Sequence, residues 1–261
     1  MGPDKVDLRY MDQLTWQEFG DRVARDVLIL PVGSTEQHAP HLPLGVDVII
    51  SRGLAAMVAE RVGGMVAPAV AYGYKSQPGS GGGPLFSGTT SLDGATLIAL
   101  VRDVLVEFLG DGARKILVFN GHFENDMFLS EAADLAMKAS PQAVEAGAKI
   151  VLTSWWDHVS QPVLDRVFSE VPFPGWALEH AAISETSLVM FLAPHLVRMD
   201  RLEGEGLDQG PNYSVFPVPQ GFVPPTGRLF TARSSSAEKG RLLAEDITAS
   251  VVSLLKRVFD A

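Results

Sequence analysis

The sequence predicts an α/β fold, a three-layer sandwich in which a mainly parallel sheet is flanked by helices. Short apolar runs such as 27–32 and 115–119 alternate along the chain with longer segments whose apolar residues recur at helical spacing. Strands separated by helices indicate a parallel sheet with helices on both faces. Acidic residues and histidines directly follow both runs, at the edge where such sheets bind their ligands. The fold and the chemistry therefore point to one location.

The predicted elements follow one another in a regular order. Each strand is a short apolar run, and each helix carries apolar residues three or four positions apart. The first long helix ends at Gly63-Gly64, since glycine is typical of helix C-termini. In chain order the sequence predicts a strand at 27–32, a helix at 47–62, a strand at 65–70, a helix at 94–109, a strand at 115–119, a helix at 125–139, a strand at 149–153 and a final helix at 236–258.

Two stretches rich in glycine and proline interrupt this order. Residues 72–84 lack the phosphate-loop pattern and precede no obvious helix. They favour a loop on the substrate side or a subunit contact, and a plain solvent loop is the alternative. Residues 203–235 indicate an extended excursion before the last helix. Because no linker composition divides the chain, residues 1–261 are interpreted as a single domain.

Composition limits the class of protein. The 261 residues are 46% apolar, which is ample for a core. A net charge of −10 and a pI of about 5.0 argue against nucleic acid or an anionic membrane as a partner. Cysteine is absent, which excludes disulfides, thiolate ligands and a cysteine nucleophile and fits a reducing cytoplasm. We expect a cytoplasmic protein.

A first ligand cluster lies in the loop that follows the first strand. Glu36 and His38 are two positions apart, so in extended backbone their side chains leave the same face. Asp47 follows after a turn that two prolines stiffen. Oxygen and nitrogen ligands on a rigid loop suit a divalent metal such as Zn or Mn.

A second cluster follows the strand at 115–119. His122 and Glu124 repeat the two-residue spacing. Five candidate ligands exceed what one tetrahedral metal needs, and a carboxylate such as Asp47 can bridge two ions, so we infer a two-metal site. His41 is expected to orient a ligand, since metal-bound imidazoles need hydrogen-bonded partners. The alternative is that all these residues are caps or satisfied polar groups.

Tryptophans and a further histidine follow the last predicted strand. Three of the four tryptophans lie in the segments 154–158 and 175–186. Trp176 and His180 share a face if their segment is helical. They could then form a slot for a planar ligand with a proton donor at its edge. The alternative is that the indoles pack in the core and His180 caps a helix.

These residues favour hydrolysis of a carbonyl–nitrogen bond. The sequence has no G-x-S-x-G elbow and no cysteine, so a covalent nucleophile has little support. A metal-activated hydroxide needs none. Metals would lower the pKa of water and polarise the carbonyl, while His180 could move a proton to the departing nitrogen.

Several motifs resemble the creatininase (creatinine amidohydrolase) family. The resemblance runs from about residue 27 to the C-terminus, and its central motifs are residues 33–38 through Asp47, residues 120–122, and Glu179-His180 to residues 185–187. The segment 122–125 resembles the H-Y-E-N of true creatininases. The segments that are similar to that subgroup as well are 73–77, 80–83, 88–96 and 215–218.

The resemblance implies an activity and an assembly. It implies a metal-dependent cyclic amidohydrolase that opens creatinine to creatine with a metal-activated water and with His180 as proton shuttle. The implied cofactors are two divalent metals, Zn and/or Mn, and the implied partner is a small cyclic substrate. The family builds homohexamers in the cytoplasm, so the same is expected here.

The resemblance also implies a role for each site residue. The residues that the resemblance implies in catalysis are His180, Glu124, Trp156 and Trp176. The implied substrate contacts are Ser80, Phe123, Trp156 and Trp176. The implied metal ligands are Glu36, Asp47 and His122 for one ion, and His38, Asp47 and Glu124 for the other.

Two departures from the family pattern bear on the substrate. Phe123 stands where a tyrosine is usual, and Ala181-Ala182 stands where true creatininases tend to have two glycines. The first rival hypothesis is therefore a hydrolase of the same fold that acts on another ring, such as a keto-inositol (an inosose), or on a formamide or peptide bond. The second is a metal-stabilised binding or structural protein without activity.

Overall fold

A four-stranded parallel sheet forms the middle of the molecule. The strand order is β2-β1-β3-β4, and every neighbouring pair is parallel. The strands are β1 (Leu28–Val32), β2 (Met65–Val66), β3 (Lys115–Asn120) and β4 (Lys149–Ser154). The computed structural model describes residues 6–77, 81, 83–204, 206, 213, 215–219, 221 and 223–259.

Helices connect the strands and cover the sheet. They are α1 (Trp16–Val23), α2 (Val46–Val62), α3 (Gly94–Gly110), α4 (Asp126–Ala139), α5 (Pro141–Glu145), α6 (Gln161–Val167), α7 (Ile183–Leu192) and α8 (Ala237–Phe259). Short 3-10 segments at Phe123–Asn125 and Trp155–His158 follow β3 and β4 directly. In the part of the chain that the structure describes, no helix has the length and apolarity needed to cross a membrane.

The predicted α/β architecture is confirmed, and the long helices lie where the apolar spacing predicts them. The strand expected at 65–70 is shorter, because Pro68 has no N–H to donate to the ladder. The backbone that follows β2 still runs beside β1. The amide of Ala67 donates to the carbonyl of Ile29 at 2.8 Å, and the amide of Gly33 donates to the carbonyl of Val70 at 3.0 Å.

Four helices, α1, α5, α6 and α7, were not predicted, and the reasons differ between α1 and α7. The helix α1 is short and its start depends on a capping box: the Thr15 hydroxyl accepts from the Glu18 amide, and the Glu18 carboxylate accepts from the Thr15 amide. The helix α7 is buried along its first seven residues, Ile183 to Val189. Without a solvent-facing side it shows no amphipathic period.

Alternation along the strands produces two cores, one on each face of the sheet. Ile29 and Leu117 pack with apolar residues of α2, α7 and α8. Leu28 and Ile116, one position earlier, pack on the opposite face with residues of α3 and α4. The arrangement is therefore helix, sheet, helix, and the carboxyl ends of β1 and β3 emerge between the two helical layers.

We expect the Leu117→Ala substitution to destabilise the protein by about 2–5 kcal/mol. Leu117 is fully buried on the central strand β3 and lies against the α2, α7 and α8 layer. Urea unfolding would measure the change. The control is Leu100→Ala on α3, where the side chain is 40% exposed. An equal loss in both variants would contradict this assignment of the core.

Candidate metal centre

The first turn of α2 lies directly against the ends of β1 and β3. Val32 and Asn120, the last residues of these strands, are paired in register, and a glycine follows each. A Cβ at Gly33 would lie 2.7 Å from the Val48 amide nitrogen, and one at Gly121 would lie 2.5 Å from the Asp47 carbonyl oxygen. The two glycines thus allow the close approach that puts Asp47 between both strand-end loops.

The first cluster consists of Glu36, Asp47 and His122. The Nδ1 atom of His122 lies 3.1 Å from Glu36 Oε1 and 3.1 Å from Asp47 Oδ2. The other ring nitrogen, Nε2, lies 2.9 Å from the Tyr74 carbonyl oxygen, which can only accept a hydrogen bond. With a cation bound, Nε2 would keep its proton toward this carbonyl and the Nδ1 lone pair would face the cation beside the two carboxylates, as in an oriented metal ligand.

A second cluster shares Asp47 and consists of His38, Asp47 and Glu185. The Nε2 atom of His38 lies 3.1 Å from Asp47 Oδ1 and 3.6 Å from Glu185 Oε2. His38 Nδ1 donates to the Glu36 carbonyl oxygen at 3.2 Å. In each of the two clusters the ligand atoms lie within 4.8 Å of one another, and all the residues are buried.

His180 joins the same charged region from the other side. Its Nδ1 lies 3.8 Å from Glu36 Oε1, and its ring centroid lies 4.5 Å from that of His38. Glu36, His38 and His180 form a third set of ligand atoms within 4.8 Å. The segment that carries His180 is not the helix considered from sequence, because the 3-10 turn Trp176–Leu178 ends before it.

Glu124 lies on the side of His122 opposite to Asp47. Its Oε2 lies 3.3 Å from His122 Nε2, the nitrogen that faces away from Asp47, and its Oε1 accepts from the Gln77 amide at 3.1 Å. Among the described residues Glu185, in the first turn of α7, is the carboxylate that groups with His38 and Asp47. Glu185 stands in the quoted motif, but no strand precedes it, so the strand-end pattern did not select it.

Charge in the cluster explains the pKa values of its residues. Burial alone would raise the pKa of Glu36, but the imidazoles of His122 and His180 hold it well below its usual range. Burial alone would lower the pKa of His38, but the Glu185 and Asp47 carboxylates raise it well above its usual value. The buried carboxylates thus require positive charge beside them, from imidazole protons or from cations.

The buried oxygen and nitrogen atoms of these two clusters suit a divalent cation. Among the described residues, the buried atoms His38 Nε2 and Asp47 Oδ2 make no well-aligned hydrogen bond, although each lies 3.1 Å from an ionic neighbour. Orphaned buried polar atoms of this kind are costly unless something binds them. Carboxylate oxygens and imidazole nitrogens are ligands that Zn and Mn accept.

Two other buried carboxyl groups behave as weak acids. Burial raises the pKa of Glu124 to about 7 and the pKa of Glu179 to about 8. Nearby carboxylates, Glu36 for the first and Glu185 for the second, contribute to these raised pKa values, and the His122 imidazole opposes the shift of Glu124. Burial and the His38 imidazole lower the pKa of His180. The pocket therefore holds groups that can accept or release a proton near neutral pH.

Aromatic rings line the pocket beside the carboxylates. Trp155 is buried and meets Trp156 and Trp176 edge-on, with both pairs of centroids 5.5 Å apart. Phe123, which is 46% exposed, lies 5.7 Å from Trp156. Trp156, Trp176 and Phe123 all line one pocket with Glu36, Asp47, His122, Glu124, Glu179, His180 and Glu185.

Two further residues were considered from sequence, Ser80 and His41. Ser80 lies outside the described residues. His41 is buried and its Nε2 lies 3.0 Å from the Thr186 hydroxyl of α7, so it contacts the helix that carries Glu185. Ala181, at φ 52, donates its amide to Glu185 Oε2 at 2.6 Å, which helps to hold that carboxylate in place.

A parallel α/β sandwich with acidic and imidazole side chains gathered at its strand ends defines the class of protein as a metal-dependent hydrolase. A family model described as creatinine amidohydrolase matches residues 12–255. The chain therefore belongs to the creatininase family. It is 42% identical to a creatinine amidohydrolase of Pseudomonas putida over 252 residues, which cover 96% of this chain and 97% of the relative.

Solved creatininase structures have the same fold. A mutant creatininase complexed with creatine matches with a TM-score of 0.92 and 42% identity, covering 97% of this chain and 99% of that one. A Zn-Zn type mutant creatininase matches with a TM-score of 0.92 and 41% identity over 97% and 98% of the two chains. A Mn creatininase matches with a TM-score of 0.92 and 42% identity over 97% and 99%.

We expect the stability of the metal-free protein to fall as the pH rises from about 4.5 to about 8, in part because of Glu179. Burial raises the pKa of this carboxyl from 4.5 to about 8. The folded chain thus binds more protons than the unfolded chain in this interval, and stability declines with pH. Glu179→Gln should flatten that decline, measured as the thermal midpoint after chelation.

The control is Glu131→Gln, since Glu131 is exposed on α4. It should leave the pH dependence of the midpoint as in the original protein. A Glu179→Gln variant with the same decline as Glu131→Gln would show that the Glu179 carboxyl is not held as a buried acid.

Proposed function

We propose that this protein hydrolyses creatinine to creatine with the help of two divalent cations. The observation that carries the proposal is the pair of buried carboxylate–imidazole clusters that share Asp47, set beside a pocket lined by tryptophans. Similarity to a creatinine amidohydrolase over almost the whole of both chains supports this substrate.

The proposed ligands divide between the two cations. Glu36, Asp47 and His122 hold one, and His38, Asp47 and Glu185 hold the other. Glu124 was implied as the third ligand of the second ion, and the distances favour Glu185 for that position. Zn and Mn are the proposed metals, because solved creatininases include both. When bound, divalent cations lower the pKa of water and polarise a carbonyl oxygen.

The remaining residues bind the substrate and move its protons. Trp156 and Trp176 offer faces and edges for a flat ring, and Phe123 borders the same pocket. In the overall reaction the water oxygen bonds to the carbonyl carbon and the ring carbon–nitrogen bond breaks. One water proton passes to the departing nitrogen, and the other leaves the new carboxyl group.

His180 and Glu124 are the proposed carriers of those protons. Both line the pocket, and burial raises the pKa of Glu124 to about 7. A carboxylate in this range can take a proton from the attacking water near neutral pH, while His180 supplies one to the ring nitrogen. Ser80 is retained as a proposed substrate contact on family resemblance alone.

A hydrolase of another ring, or of a formamide or peptide bond, is the less favoured alternative. Phe123 and Ala181-Ala182 remain the features that bear on it. Phe123 is half-exposed at the pocket and lacks the hydroxyl usual in the family. Ala181 and Ala182 are fully buried, so their methyl groups act on the position of His180 and Glu185 more than on substrate directly.

The proposed setting is a single-domain chain that forms a cytoplasmic homohexamer. Three exposed apolar side chains, Trp16, Met127 and Phe216, are 80%, 75% and 72% exposed in the isolated chain. Contact with other copies would remove such surfaces from water. The absence of cysteine fits a reducing compartment.

Purified protein loaded with Mn or Zn should convert creatinine to creatine, and chelation should abolish the reaction reversibly. His180→Ala should keep its bound metal but lose turnover by roughly 10²–10⁴-fold, because a general acid or base contributes about that much. Creatine is assayed directly. No creatine at any metal loading would contradict the substrate, and a panel of inososes, formamides and peptides would then identify the alternative.

Exchange of single carboxylates for amides should separate ligands from proton carriers. We expect Asp47→Asn to lose both ions, because its two oxygens face both clusters. Glu185→Gln should fall from about two bound ions per chain to about one, while Glu124→Gln keeps about two but loses turnover. Elemental analysis after gel filtration measures the content. Loss of metal from Glu124→Gln with full occupancy in Glu185→Gln would restore Glu124 as the ligand.

A further inference from the structure

The side-chain amide of Gln37 contacts the ring of His180. Its Nε2 lies 2.9 Å from His180 Nε2, 2.8 Å from the Gly81 carbonyl oxygen and 2.9 Å from the Gly227 carbonyl oxygen. Both side chains are buried. Gln37 itself stands between Glu36 and His38 in sequence, yet its amide points to residues far along the chain.

The orientation of this amide is fixed by its neighbours. The Ala39 amide donates to Gln37 Oε1 at 2.9 Å, and the two glycine carbonyls accept from Nε2. A flipped amide would place oxygen against two carbonyl oxygens and nitrogen against an N–H group. Hydrogen-bonding partners are the accepted basis for assigning such amides, and here they allow one assignment only.

That orientation determines which nitrogen of His180 can carry a proton. The two hydrogens of the Gln37 NH2 group are shared among three acceptors, the Gly81 and Gly227 carbonyls and His180 Nε2, and the amide nitrogen has no lone pair to accept. A proton on His180 Nε2 would point at this group and repel it. The lone pair of the imidazole therefore faces Gln37, and the proton resides on Nδ1, the atom 3.8 Å from Glu36 Oε1.

Two glycines leave room for the contact on both sides. A Cβ at Gly81 would lie 2.8 Å from His180 Nε2, and a Cβ at Gly227 would lie 2.0 Å from Gln37 Oε1. The backbone of two segments distant in sequence thus packs directly on the amide and on the imidazole. Neither ring nor amide can turn over without moving these segments.

We propose that Gln37 is a positioning residue that holds His180 in the tautomer with its proton on Nδ1. The proposal rests on the proposed function for its catalytic meaning, because it names Nδ1 as the atom that presents a proton to the departing ring nitrogen. Gln37 lies between the proposed metal ligands Glu36 and His38, and its side chain would then orient His180 and would not bind a metal.

Solid-state ¹⁵N NMR of the Zn-loaded, histidine-labelled protein tests the tautomer without substrate. The His180 signals are those that disappear in His180→Ala. We expect a protonated Nδ1 and a bare Nε2. In Gln37→Glu a carboxylate oxygen replaces the NH2 group; the two glycine carbonyls repel it, but it accepts a hydrogen bond from a protonated ring nitrogen, so Nε2 should become protonated. A protonated Nε2 in the original protein, or an unchanged tautomer in Gln37→Glu, would overturn the proposal.

Steady-state kinetics provide a second test of the proposal. Gln37→Glu should keep its metal and lose kcat by about 10²-fold, whereas in a His180→Ala background the same change should cost about 3-fold or less, since the two residues act as a unit. An equal loss in both backgrounds would overturn the proposal. Gln142→Glu, at an exposed site on α5, is the control for the chemical change. If no creatine forms at all, the proposed function fails while the NMR result still decides the tautomer.

Discussion

Burial of negative charge around Asp47 is the constraint on which the rest of the site depends. Glu36, Asp47 and Glu185 are between 1% and 8% exposed, and isolated carboxylates at such positions are strongly unfavourable. Imidazoles on two sides offset part of that charge. Asp47 Oδ2 and His38 Nε2 each lie 3.1 Å from an ionic neighbour but make no well-aligned hydrogen bond. Protons and hydrogen bonds therefore offset the charge only in part, and cations fit the site.

The scaffold delivers these side chains from separate parts of the chain to one point. Parallel strands β1 and β3 end in register, so the loops after them emerge side by side. The N-terminus of α2 brings Asp47 between them, and that of α7 brings Glu185 from the other side. The imidazoles of the two proposed ligands are oriented by backbone carbonyls, that of Glu36 for His38 and that of Tyr74 for His122. Rigid backbone therefore sets the direction of each lone pair.

Sequence pattern predicted most of this scaffold and part of the site. The strand-end pattern selected Glu36, His38 and His122, and the structure brings these side chains together with Asp47 at the ends of β1 and β3. The helix α7 was not predicted, because burial on all sides removes amphipathic spacing. Glu185, in the first turn of that helix, was therefore not selected as a candidate ligand. The partner of His180 was also not predictable, because Gln37 reaches it across 143 positions in sequence, and only the folded backbone shows that contact.

A crystal structure with anomalous data collected at the Zn and Mn absorption edges is the most direct test of the central claim. The account predicts two anomalous peaks, one among Glu36, Asp47 and His122 and one among His38, Asp47 and Glu185, with the Asp47 carboxylate between them. A single peak, or two peaks that do not share Asp47, would contradict it.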